Sequence, residues 1–116
     1  MIQLIYVSSA TSDMTEEQLY ELLIQAQERN KNQNITGMLL YGNGNFMQML
    51  EGDKQDVDEI YSSIKRDSRN SGNIILQRKD IDQRYFPEWT MGFKLLSNND
   101  ISKNSSYSNF FKKALN

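Results

Sequence analysis

The stretch Ile35-Thr36-Gly37-Met38-Leu39-Leu40-Tyr41-Gly42-Asn43-Gly44-Asn45-Phe46-Met47-Gln48-Met49-Leu50 decides the fold. Two apolar runs of strand length flank a Gly-Asn-Gly-Asn turn, the composition of a tight hairpin. The first run predicts a strand over Ile35–Tyr41 and the second a strand over Phe46–Leu50. Upstream, Thr15-Glu16-Glu17-Gln18 matches a capping box. Leu19, Leu22, Leu23 and Ala26 follow at helical spacing, so a helix runs to about Asn30. Downstream, Glu51-Gly52 ends the hairpin. Asp53 or Asp56 can start a second helix, whose apolar stripe is Val57, Ile60, Tyr61 and Ile64. Beyond these helices, Ile2–Ser8 reads as a strand that is apolar on both faces, as a central strand should be. Lys65 to Gly72 reads as a polar exit, Asn73–Lys79 as a fourth strand and Trp89–Leu95 as a fifth. The order is β-α-β-β-α-β-β. That predicts a ferredoxin-like α+β fold: a mixed five-stranded sheet, both helices on one face, and the first and third strands as central neighbours. Residues 1–96 are expected to form one domain and 97–116 a tail. Phe110, Phe111, Ala114 and Leu115 cluster there and could add a short helix over Tyr107–Leu115.

The chain has 116 residues, a net charge of -2, one Pro, no Cys and no His. The missing Cys and His exclude disulfides, thiolate catalysis, Cys/His zinc sites and His-based triads. They also exclude a cofactor attached through either residue. Proton chemistry must use Tyr, Asp, Glu, Lys, Ser or an amide. The charge argues against broad binding to nucleic acid or membrane. No apolar run approaches ~18 residues, and the N-terminus lacks the pattern of a signal peptide, so a cytoplasmic protein is expected.

Gln48 demands an explanation. It alternates with Phe46 and Leu50 on one strand face. A buried amide left unpaired costs about 1–3 kcal/mol. It is either a core glutamine satisfied by backbone or water, or a ligand contact. Tyr6 lies on the neighbouring strand and can approach it across the sheet; taken alone, it reads as a core tyrosine. Asn30, Asn32 and Asn34 suit a helix end and its loop. Trp89, Met91 and Phe93 share one face of the fifth strand, a stripe that core packing also produces. Gly42-Asn43-Gly44 is no dinucleotide fingerprint, because it lies inside a hairpin and opens no helix. Lys65, Arg66 and Arg69 read as a solvated basic turn, with phosphate binding as the alternative.

Taken together, these pieces resemble the BLUF family, the sensors of blue light using flavin. The matching segments are Leu4-Ile5-Tyr6-Val7-Ser8, Asn30 with Asn34 through Tyr41, Phe46 through Gly52, Asp67-Ser68-Arg69, and Arg84 through Met91. The resemblance covers about Met1 to Leu95. It implies a non-covalent flavin, FAD by expectation, with FMN or riboflavin as alternatives. It makes Tyr6 the electron and proton donor to the excited flavin and Gln48 the amide between that phenol and the ring. Asn30 would bind the ring's polar edge, and Ile64 would pack near the ring. Asp67 and Arg69 would sit on its polar side, with Ser8, Arg29 and Asn70 also at the cofactor. Trp89 and Met91 would lie on the strand that senses the glutamine. The chain departs from the family at Asn70, where His is frequent, and at Arg29, where Asn or His is frequent. The implied output is a switch rather than turnover, passed to a downstream protein, with a homo-oligomer expected. The competing readings are a ferredoxin-like small-ligand module, a hydrolase of acylphosphatase type, and a purely structural interaction protein. Against the hydrolase, Ser8 to Met14 contains no glycine for a phosphate-cradling loop.

Overall fold

The computed structural model describes residues 1–88 and 90–95. Trp89 and the expected helix over Tyr107–Leu115 therefore lie outside the described residues. The elements are β1 (Ile2–Ala10), α1 (Glu16–Asn32), β2 (Thr36–Gly42), β3 (Asn45–Gly52), α2 (Lys54–Arg66), β4 (Asn70–Asp80) and β5 (Gly92–Leu95). The sheet order is β4-β1-β3-β2-β5. β1 runs antiparallel to both β3 and β4, β2 antiparallel to β3, and β5 parallel to β2. This is the expected ferredoxin-like arrangement with a fifth strand added beside β2.

Local chemistry explains the elements. Thr15 caps α1: its hydroxyl accepts from the Gln18 backbone N–H at 3.1 Å, and the Gln18 side chain accepts from the Thr15 N–H at 2.9 Å. Glu16 and Glu17 then face the positive end of the helix dipole. The β2–β3 hairpin closes at the pair Gly42 and Asn45. Asn43 and Gly44 have φ of 53° and 76°, the left-handed pair that a two-residue hairpin turn requires. Gly37 is fixed for another reason. A Cβ there would stand 1.9 Å from the Met49 carbonyl oxygen, so only glycine lets β3 come this close.

The core lies between the helices and one sheet face. Leu4, Tyr6, Leu39, Phe46 and Leu50 meet Leu19 and Ala26 of α1 and Val57, Ile60 and Ile64 of α2. On the other face, Tyr85 and Phe86 cover Ile5 and Met49. That covering loop is pinned by Glu51, which is fully buried. Its carboxylate accepts from the N–H groups of Tyr85 at 2.6 Å and Phe86 at 2.9 Å. Arg84 adds bonds to Thr36 Oγ1, Glu51 O and Asn34 O.

Most boundaries lie within two residues of expectation, and two strand starts differ by three. β4 begins at Asn70 rather than Asn73. Its pairing with β1 shifts register twice, and Gly72 adopts φ 64°. Irregular pairing through a left-handed glycine makes the start of the strand read as a turn. β5 begins at Gly92 rather than residue 89, so Met91 precedes the strand. The carbonyls of Thr90 and Met91 are taken by side chains of α1 instead of a strand neighbour. The ladder can start only after them.

Candidate functional site

Tyr6 and Gln48 are direct cross-strand partners in the β1–β3 register. The strand period of two turns both side chains toward the helices, together with Leu4 and Leu50. The Tyr6 phenol donates to Gln48 Oε1 at 2.5 Å. With its oxygen committed, the Gln48 amide points Nε2 at Met91 Sδ, 3.4 Å away. A thioether is a weak acceptor, so this end of the amide is loosely held. Tyr6 and Gln48 are 4% and 3% exposed. Burial pushes the Tyr6 phenol far above a tyrosine's ordinary pKa, a shift that the Arg29 cation opposes. The phenol is therefore a neutral donor. Its ring packs against Tyr61 with centroids 5.1 Å apart and planes inclined by 54°.

A cleft opens beside this pair, between the helices and the sheet. α1 contributes Leu22, Gln25, Ala26 and Arg29, whose spacing places them on one helix face. Ile64 comes from α2, Leu39 from β2, and Phe46 with Gln48 from β3. Ser8 follows Tyr6 on the same face of β1, and its buried Oγ has no partner among the described residues. The rim is polar. Arg69 donates to both carboxylate oxygens of Asp67 and, at 3.2 Å, to Gln25 Oε1, tying the exit of α2 to α1. The hydrogen bond from Arg69 holds the Asp67 carboxyl below its ordinary pKa. Asn70 donates to the Ile64 carbonyl at 3.1 Å and so caps the end of α2. Burial lowers the pKa of Arg29, yet a guanidinium stays charged. Among the described residues its one hydrogen bond is a long contact of 3.4 Å to Asn30 Oδ1.

The cleft thus brings together Tyr6, Ser8, Arg29, Gln48, Ile64, Asp67, Arg69 and Asn70. Asn30 stands apart. It is fully buried, does not line the cleft, and spends its Nδ2 on the Thr90 carbonyl at 2.9 Å. Met91 sits behind Gln48, on the far side from Tyr6's hydroxyl contact. Sequence reasoning passed over Leu22, Gln25, Ala26, Leu39 and Phe46 as lining residues. Their signal was present: Leu22, Ala26 and Arg29 share a helix face, and Leu39 pairs with Gln48 in the β2–β3 register. Among the described residues no cluster of acidic side chains could hold a metal ion, and no helix is long and apolar enough to cross a membrane.

The chain resembles known proteins over most of its length. Residues 1–92 match the family described as BLUF, sensors of blue-light using FAD. The chain is 38% identical over 89 residues to the photoactivated adenylate cyclase subunit beta of Euglena gracilis, covering 76% of this chain and 10% of that protein. It is 37% identical over 86 residues to the alpha subunit from the same organism, covering 74% and 8%. The chain therefore spans about a tenth of the length of these curated relatives. Among solved structures, a bacterial light-regulated adenylyl cyclase superposes with TM-score 0.79 and 32% identity, over 97% of this chain and 32% of that one. The ground state of BlsA superposes with TM-score 0.81 and 25% identity, over 98% and 86%.

Proposed function

The chain belongs to the BLUF family of flavin-dependent blue-light sensors, and from that premise we propose that Tyr6 and Gln48 are its photoactive pair. The observation that carries the reading is the buried bond from the Tyr6 phenol to Gln48 Oε1, with the opposite end of that amide held only by a sulfur.

The cleft residues fit a flavin in chemistry. Leu22, Ala26, Leu39, Phe46 and Ile64 offer apolar walls for a flat ring. The unpartnered Ser8 hydroxyl and the under-used Arg29 guanidinium offer polar contacts at one edge. Asp67, Arg69 and Asn70 line the polar rim. The enclosed space is about 70 Å³, whereas pockets for drug-sized ligands run to roughly 300–1,000 Å³. A ring would need α1 and α2 to part, or Gln25, Arg29 and Arg69 to swing outward. FAD is the proposed species over FMN and riboflavin, and mass analysis of the released cofactor distinguishes them.

A bound flavin supplies absorption of blue light and an excited-state electron acceptor. The protein supplies the rest. Tyr6 would be the electron donor to that acceptor, and the phenol proton would pass along the existing bond to Gln48 Oε1. The Gln48 amide then rotates or tautomerises, and either route exchanges its donating and accepting ends. Returning the electron and proton restores the phenol. Only the amide's hydrogen-bond pattern has changed, so the site switches without consuming a substrate. Met91 feels the change first, because its sulfur touches the amide. Trp89 is proposed to take part on the same segment. We assign the output to a separate downstream protein or to a change in homo-oligomer assembly, in the cytoplasm. A coupling of about 1–3 kcal/mol alters a partner's affinity severalfold or more.

The test is an absorption spectrum of the flavin-loaded protein before and after blue light. A small red shift that reverses in the dark is expected. A protein that takes up no flavin overturns the reading and favours a ferredoxin-like module for another ligand.

A further inference from the structure

α1 carries two side-chain amides three residues apart, Gln27 and Asn30, which places them on neighbouring positions of one helix face. Both donate to carbonyls of consecutive residues. Asn30 Nδ2 reaches Thr90 O at 2.9 Å, and Gln27 Nε2 reaches Met91 O at 3.1 Å. Neither carbonyl belongs to the sheet, since β5 starts at Gly92. Met91 is 2% exposed, and its sulfur is the one acceptor for Gln48 Nε2 among the described residues. The same segment is fixed at its other end, where Glu51 holds the N–H groups of Tyr85 and Phe86. A chain of contacts therefore runs from the Gln27 amide through the Met91 carbonyl and sulfur to the Gln48 amide.

The weak link is the sulfur. Its attraction for an N–H is too small to draw the Gln48 amide back unaided, so the amide's return to its resting orientation depends on how firmly Met91 is held. Gln27 is half-buried and does not line the cleft. We propose that Gln27 is a positioning residue for the dark reversal: it holds Met91 where the sulfur takes the Gln48 N–H, and this hold is released in the switched state. The proposal rests on the reading of Tyr6 and Gln48 as the photoactive pair. Gln27 isolates the effect better than Asn30, to which the family resemblance also gives a cofactor contact.

The experiment uses the flavin-loaded full chain and the variants Gln27→Leu and Gln27→Lys. Leucine keeps the bulk and removes the donor, and lysine returns a donor. The readouts are dark recovery after a blue flash, the light-minus-dark change in emission of the single tryptophan, and Tm. Gln27→Leu is expected to keep the dark spectrum and flavin content and to slow recovery by about fivefold, the factor corresponding to loss of one ordinary hydrogen bond. It should also shrink the light-induced emission change. Gln27→Lys should move both back toward the unmutated protein. If Gln27→Leu lowers Tm but recovers at the unmutated rate, the residue is merely structural and the proposal fails while the photoactive pair stands. If the unmutated protein shows no light-induced shift at all, the underlying reading fails and this one falls with it.

Discussion

Removing both partners of the Tyr6–Gln48 bond should cost less than the two single losses added together. The bond spans 2.5 Å between side chains that are 4% and 3% exposed, so a lost partner leaves a buried polar atom behind. Gln48→Leu leaves the phenol O–H facing an apolar methyl group, and an orphaned buried donor costs about 1–3 kcal/mol. Tyr6→Phe leaves Gln48 Oε1 unpaired at a similar cost. In the double variant no polar atom of the pair remains in the core. The phenyl ring at position 6 still packs on Tyr61, and the leucine side chain at position 48 extends the apolar face of Phe46 and Leu50. The double variant should therefore be about 1–3 kcal/mol more stable than the summed single losses predict, a coupling of the size that contacting residues show. Urea unfolding followed by circular dichroism measures all four proteins. Because m scales with the surface exposed on unfolding, it should stay constant across the cycle, leaving the midpoint to carry the difference. Additive losses within about 0.3–0.5 kcal/mol would mean that the two side chains are energetically independent and that the short bond between them does not couple them.

Gly37→Ala should lower stability by about 3 kcal/mol or more, because its Cβ would sit 1.9 Å from the backbone of Met49, which cannot rotate away; thermal unfolding checks this, and a Tm change under about 4 °C would refute it. Glu51→Gln should free the loop over Ile5 and Met49, since the two N–H groups are taken by different carboxylate oxygens and the amide puts an NH2 donor in place of one of them. Hydrogen exchange at Tyr85 and Phe86 should rise in that variant, and unchanged protection would contradict the anchor. Asp67 titrates below its ordinary value because Arg69 donates to it. Its stabilisation is therefore present above the ordinary carboxylate range of about pH 4 and is lost as pH falls through and below it. Asp67→Asn should flatten the acid limb of Tm against pH in that window, and an identical limb would show that the pair contributes nothing.

Much of the frame was readable because its signals are local. The Thr15–Gln18 capping box, the Asn43-Gly44 turn and the stripe Val57, Ile60, Tyr61 and Ile64 each need only a few neighbouring residues. The hairpin and the βαβ order together put β1 beside β3, so that Tyr6 and Gln48 could approach across the sheet; the observed register sets them directly opposite. What escaped depends on contacts distant in sequence. Gln27 and Asn30 hold carbonyls some sixty positions away, which leaves no period along the chain and hides where β5 begins. Glu51 read as the polar end of a strand, yet it is a buried anchor for backbone N–H groups of a loop. The register shifts of β4 disguise its first residues as a polar turn. The cleft wall from α1 was visible as a helix stripe, but nothing local separates a residue that faces a cavity from one that faces the core.

The most direct test is the light-minus-dark difference spectrum of the flavin-loaded protein alongside Tyr6→Phe and Gln48→Leu. A reversible red shift in the unmutated chain that vanishes in both variants, with flavin still bound, is the predicted result. A normal reversible shift surviving in both variants would contradict the assignment of the phenol and the amide as the switch.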